Sequence, residues 1–293
     1  MTEGYERAPA RLYVMLALLA VLWSANFIFA KIALRELPPL TLALTRFSLA
    51  GVFILPVYWW KKGIPDTDAR FWKYFVVCVS FVSLNQVTFV SGLSRTSIAH
   101  AALILSLTPI WVVLISRIVG HERIQPSKLM GFAIAIGGVG VLQTRHGAAG
   151  ESTFLGDLLI LAASITWGAF TVATKAAREH FDGLTMNTIT YGGTALAFLP
   201  FTLWAGAQVD VGALTWKVWS SLVYMAIFPT LIGMGIYYHA MRYMPASRLS
   251  MIAYFQPLLA TVMAVFLLDE SFHQSVAIGG ALVLAGVVWT ERA

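Results

Sequence analysis

Charge is scarce in this 293-residue chain: Asp, Glu, Lys and Arg make up 12% of it, against 58% hydrophobic residues. So little charge cannot cover the surface of a water-soluble domain of this size. Cysteine is scarcer. Cys78 stands alone, which excludes a disulfide within the chain and any cysteine-ligated metal, and inside an apolar run it reads as a small filler. Long polar stretches are missing too, so little chain is left for a soluble domain. Carboxylates are absent from the middle of every apolar run. Glu36, Glu122, Asp157, Glu179, Asp269 and Glu270 come nearest the membrane, and all fall in loops or near run ends. No run carries a His/Asp/Glu pair at mid-depth, the HERIQ segment at His121 lacks the second histidine of a zinc H-E-x-x-H pair, and no G-x-S-x-G nucleophile motif occurs. These absences argue against a membrane-embedded enzyme, and no catalytic residue, metal or cofactor is expected.

What is present is apolar length. A bilayer core ~30 Å thick needs about 20 apolar residues per helical span, and ten such runs lie near Leu12–Leu34, Pro39–Trp60, Phe71–Leu93, Ser97–Val119, Ser127–Gln143, Phe154–Ala177, Leu184–Ala205, Trp216–Met241, Ser247–Leu268 and Phe272–Thr290. The first is too long for a signal-peptide core and no small-residue cleavage site follows it, so it is expected to stay as helix 1. The chain therefore reads as an all-α membrane protein of ten transmembrane helices. With the N-terminus inside, the inner segments hold fourteen Lys/Arg and the outer segments five, with Arg46 within helix 2. That asymmetry predicts cytoplasmic termini.

The ten runs are one pattern written twice. Pro109 and Glu122 in SLTPIWVVLISRIVGHE recur as Pro257 and Glu270 in YFQPLLATVMAVFLLDE, and Gly131 and Gly138 recur as Gly279 and Gly286, all at an offset of 148. Trp23 and Lys31 in WSANFIFAK recur as Trp167 and Lys175 in WGAFTVATK at an offset of 144, as Pro56 does in Pro200. Two halves are expected, residues 1–145 and 146–293. Five crossings per half make the second copy enter from the opposite side, so the repeat is inverted, a common architecture of secondary transporters with a site near the midplane.

The stretches SGLSRTSIAHAALILSLTPIWVVLISRIVGHERIQPSKLMGFAIAIGGVGVL and HAMRYMPASRLSMIAYFQPLLATVMAVFLLDESFHQSVAIGGALVLAGVV, with ALTRFSLAG in helix 2, resemble the paired EamA-type repeats of the drug/metabolite transporter superfamily. That resemblance implies ten helices in an inverted repeat around a central cavity, with helices 5 and 10 toward the outside. It also implies export of amino acids or other metabolites, as in many bacterial members, across the inner membrane.

Candidate site residues follow from polarity and position. Most tryptophans lie at run ends, where an amphipathic ring suits the headgroup region. Trp23, Trp111 and Trp167 lie near the middles of helices 1, 4 and 6, so they are candidates to line the cavity or are bulky packing residues. Asn26 shares a helix face with Trp23, and Thr171 shares one with Trp167. Asn85 and Gln86 are the most polar adjacent pair in any span; neutral amides can hold a zwitterion's charged groups or simply join helices. Arg46, the one unambiguous intramembrane cation, is a candidate carboxylate binder or snorkels. Tyr191 is a weaker candidate. Pro109 and Pro257 free carbonyls at Leu105 and Ala253, as hinges or packing features. Lys31, Lys175, Glu122 and Glu270 read as helix-end anchors ahead of gate ion pairs.

The expected activity is export of small amphipathic metabolites, aromatic or other hydrophobic amino acids first, by alternating access and without ion coupling. Multidrug or organic-cation export is the alternative, with a membrane enzyme or receptor behind it. The expected partners are a small-molecule substrate and the lipid bilayer, with no nucleic acid and a monomeric chain.

Overall fold

The computed structural model describes residues 9–64, 67–119, 126–142, 152–244, 246–270 and 274–292. His121, Glu122 and the expected boundary at residues 145 and 146 lie outside them. The described residues form ten helical segments and no strand: α1 Ala10–Ala33, α2 Pro39–Lys62, α3 Ala69–Leu93, α4 Ile98–Ile118, α5 Pro126–Leu142, α6 Phe154–Ala177, α7 183–206, α8 Trp216–Ala240, α9 Arg248–Leu268 and α10 Gln274–Arg292. Seven of them, α1, α2, α3, α4, α6, α8 and α9, are long and apolar enough to cross a membrane.

Local sequence sets the helix starts. Asp68, Ser97, Thr153 and Asp182 are N-caps whose side chains accept hydrogen bonds from the backbone N–H of Phe71, His100, Gly156 and Thr185. Pro39 opens α2 at a position where its missing N–H costs nothing.

The interruptions of α4 and α9 fall where the sequence places proline. Helix α4 is broken at Ser106 and Leu107, just before Pro109, and α9 passes through a 3₁₀ turn at Met251–Tyr254, just before Pro257. The carbonyl of Leu105, expected to be left free, instead accepts the Thr108 hydroxyl at 2.6 Å. A neighbouring side chain satisfies what proline released. Two π-helical stretches, Thr188–Gly192 in α7 and Ala226–Gly233 around Pro229 in α8, have no counterpart in α2 and α3.

The glycine repeat appears as reciprocal close packing. A Cβ added at Gly138 of α5 would lie 2.8 Å from the carbonyl of Gly279 and 2.6 Å from the backbone nitrogen of Val283 in α10. One at Gly286 of α10 would lie 2.5 Å from the carbonyl of Gly131 and 2.4 Å from the nitrogen of Ala135 in α5. Ala135 and Val283 are themselves 148 apart. Residue i meets j while the copy of j meets the copy of i, so α5 and α10 run antiparallel about a local two-fold axis perpendicular to both.

The lysines repeat in the same way. Lys31 Nζ donates to the carbonyl of Leu93, at the end of α3, at 2.8 Å, and Lys175 Nζ donates to that of Met241, just past α8, at 2.8 Å. Each ammonium sits on a helix C-terminus, where the dipole favours it. These are helix-end anchors, and they define two ends of the bundle, called below the Lys31 end and the Lys175 end.

Candidate substrate cavity

Where the two large buried apolar clusters meet, the bundle leaves a cavity walled by α1, α2, α3, α4, α6, α7, α8 and α9. None of its described lining residues comes from α5 or α10. Its first wall is aromatic. Trp23 and Trp167 meet edge to face with ring centroids 5.5 Å apart and planes at 87°, and Tyr237 lies 5.3 Å from the Trp23 ring. Phe47 and Tyr191 are 5.7 Å apart. The Trp23 indole N–H donates to the carbonyl of Pro229 at 3.2 Å, inside the α8 π stretch.

The lining also holds polar groups. Arg46 is 7% exposed; its Nε and Nη2 donate to Thr230 Oγ1 at 3.1 and 2.8 Å, and its Nη1 donates to Gln86 Oε1 at 3.2 Å. Thr230 in turn donates its hydroxyl proton to the carbonyl of Met225, five residues back, at 2.7 Å. The π stretch thus aims a neutral acceptor at the guanidinium, a use such bulges often have. Among the described residues, Arg46 has no ion pair and no Asp or Glu lines the cavity. Gln86 Nε2 and Asn26 Oδ1 are buried without a protein partner, while Asn85 donates to the carbonyl of Ala163 at 2.8 Å.

Of the residues expected from sequence, Trp23, Asn26, Arg46, Asn85, Gln86, Trp167 and Tyr191 line this cavity. Thr171 stands behind the wall: it is fully buried, and its hydroxyl is 2.9 Å from that of Tyr237. Trp111 is not among the lining residues. It packs on Leu107, Ile110 and Val113 of α4 and on Ala135 and Val283, because Gly168 lets α4 approach α6 at the Trp111 Cβ. Pro109 and Pro257 are buried and absent from the wall, but the residues beside them, Thr108 and Gln256, are in it.

Thr108, Gln256, Phe47, Phe89, Tyr237 and Met234 were not anticipated. The repeat carried the signal: Thr108 and Gln256 are equivalent, as are Phe47 and Tyr191, Phe89 and Tyr237, and Gln86 and Met234. A second polar cluster was missed because its members are far apart in sequence. At the Lys31 end, His100 Nδ1 lies 3.0 Å from Asp157 Oδ2, both buried, and Thr96 donates to the other carboxylate oxygen.

Residues 11–144 and 154–291 each match the EamA-like transporter family. The chain belongs to that family. As an EamA-like transporter it is a multi-pass membrane protein, and its relatives match over nearly their whole length. An "Uncharacterized transporter" of Archaeoglobus fulgidus is 26% identical over 285 residues, covering 96% of this chain and 97% of the relative. A "Probable terminal-alkyne amino-acid exporter" of Streptantibioticus cattleyicolor is 27% identical over 281 residues, covering 94% and 92%. A "Probable amino-acid metabolite efflux pump" of Escherichia coli K12 is 23% identical over 282 residues, again covering 94% and 92%. A crystal structure that is 21% identical superposes with a TM-score of 0.69 over 97% of this chain and 99% of the other, which shows the shared fold.

Proposed function

We propose that this EamA-like transporter exports small amphipathic amino acids, aromatic and other hydrophobic ones first, by alternating access around the cavity. The observation that carries the reading is the mixed lining of the cavity. Rings of Trp23, Trp167, Phe47, Tyr191 and Tyr237 line the same cavity as Arg46, Gln86 and Asn26, so an apolar side chain and a polar backbone head each find matching chemistry there. Two relatives named for amino-acid export support the same class. In this reading all ten helices cross a bacterial inner membrane with cytoplasmic termini, as two inverted five-helix copies in a monomer. The Lys31 end is then outward and the Lys175 end cytoplasmic. Organic-cation export is disfavoured, because the buried charge in the wall is itself a cation.

Transport is facilitated in this proposal, since no carboxylate lines the cavity among the described residues to take up a coupling ion. The test is uptake of labelled phenylalanine and leucine into liposomes containing the purified protein, with glucose as the contrast. Equilibration without a gradient, for the amino acids only, supports the reading. Accumulation above equilibrium driven by an imposed pH gradient overturns the facilitated mechanism and directs attention to His100 and Asp157. Equal movement of glucose overturns the substrate class.

A further inference from the structure

We infer that the cavity recognises its substrate by the carboxylate alone, so that apolar monocarboxylates without an amino group are carried as well as amino acids, and the corresponding amines are not. This rests on the transport reading above and defines its substrate class by the carboxylate.

The first observation is the unbalanced charge of Arg46. Three of its five N–H donors reach Thr230 and Gln86, which leaves two. Both partners are neutral. A guanidinium taken out of water with only neutral partners is strongly stabilised by an arriving carboxylate, whose two oxygens match its fork. Beside it lies Gln86 Nε2, a buried donor with no protein partner. Because Gln86 Oε1 accepts from Arg46, the amide orientation is fixed and its NH₂ remains a donor for the same anion. Among the described residues, no carboxylate lines the cavity to pair with an ammonium. Asn26 Oδ1, a buried acceptor without a protein partner, is a neutral amide, and a second cation in a cavity that already holds Arg46 is repelled.

The second observation is independent of charge. At the positions equivalent to Asn26, Arg46, Asn85 and Gln86, the second half of the chain has Phe170, Thr190, Gly233 and Met234. Arg46, Asn26, Asn85 and Gln86 of the lining are thus not repeated in the second half, which contributes Ser250 and Gln256 instead. A single guanidinium among aromatic and aliphatic side chains suits an aryl- or alkyl-carboxylate.

Counterflow tests this directly: liposomes containing the protein and loaded with phenylalanine take up labelled phenylalanine at neutral pH, with 3-phenylpropanoate or 2-phenylethylamine as competitors. We expect the acid to compete within about threefold of phenylalanine and the amine at least about thirtyfold more weakly. The reverse ranking overturns the inference and leaves amino-acid transport standing. If phenylalanine does not move, uptake of labelled 3-phenylpropanoate sustains carboxylate recognition while removing the amino-acid reading, and its absence overturns both. Gln86→Glu places a counter-ion beside Arg46 from within. In protein that elutes as a single folded species, this variant should weaken competition by the acid about tenfold or more and strengthen that by the amine. Unchanged competition by the acid overturns the proposal. If the variant does not fold, the ranking in the unaltered protein decides.

Discussion

Trp23 and Trp167, 144 residues apart and equivalent in the repeat, touch each other edge to face at 5.5 Å. Equivalent residues of two halves related by a two-fold axis can meet only near that axis. Phe47 and Tyr191, also equivalent, meet at 5.7 Å. The cavity therefore lies where the two halves share an axis.

For the tryptophan pair, truncation should act on substrate preference ahead of folding. Trp167→Ala should weaken competition by aromatic amino acids more than by aliphatic ones, by about tenfold. The double variant Trp23→Ala/Trp167→Ala should show a coupling of about 0.5–1.5 kcal/mol in a double-mutant cycle on apparent affinity. Strict additivity would mean that the rings act on substrate separately.

Trp111 should behave differently. Its indole N–H is buried without a protein partner, so Trp111→Phe removes an unsatisfied donor and is expected to leave thermal stability and substrate ranking nearly unchanged. Trp111→Ala opens the α4 packing cluster and should cost about 3–5 kcal/mol. A change of substrate ranking in the folded Phe variant would place this ring in the transport path after all.

Glycines in α5 offer an internal control. Gly138→Ala puts a methyl group within 3 Å of Val283 and Gly279 backbone atoms and should destabilise by about 1–3 kcal/mol. One residue away, a Cβ at Gly137 meets nothing within 4 Å. Gly137→Ala should be neutral or stabilise by up to about 1 kcal/mol through helix propensity. Thermal unfolding in detergent compares them, and equal effects would contradict the α5–α10 contact.

At the Lys175 end, Lys62 at the end of α2 forms an ion pair with Asp182 at the start of α7. Burial raises the Asp182 pKa, but hydrogen bonds from Lys62 and Thr185 outweigh it and hold the carboxyl down at about 2. The sign follows: a depressed carboxylate contributes its stability above the ordinary Asp value and loses it as pH falls through about 2. The latch should therefore be indifferent to pH across the neutral range. With both side chains more than a third exposed, its contribution is at most about 1 kcal/mol. A Lys62→Cys/Asp182→Cys disulfide, in a Cys78→Ala background, should arrest transport until reduced. Undiminished transport by the cross-linked protein would show that this end does not open between these residues.

Orientation is open to a labelling test in the same background. Lys61→Cys should react with an impermeant thiol reagent only from the cytoplasmic side, and Val211→Cys only from the outside. The reverse pattern would invert the proposed topology.

Composition and spacing by themselves determined the membrane setting, ten helical segments and the duplication. Apolar length, proline position and glycine period act locally or repeat along the chain, and the Gly131/Gly138 and Gly279/Gly286 pairs could be matched before either helix was placed. Polarity against an apolar background also marked Arg46, Gln86, Asn26 and Asn85, since few such residues are tolerated in a span without a use. Tertiary structure alone decided which of the mid-span residues face one another. Trp111 looked like Trp23 and Trp167 in sequence, but Gly168 draws α4 against α6 and the ring packs with its neighbours. The π stretch that brings Thr230 to Arg46, 184 positions away, and the burial of Asp157 against His100 depend on how separate helices meet. Those contacts have no periodic signature, because they are made across the bundle and not along it.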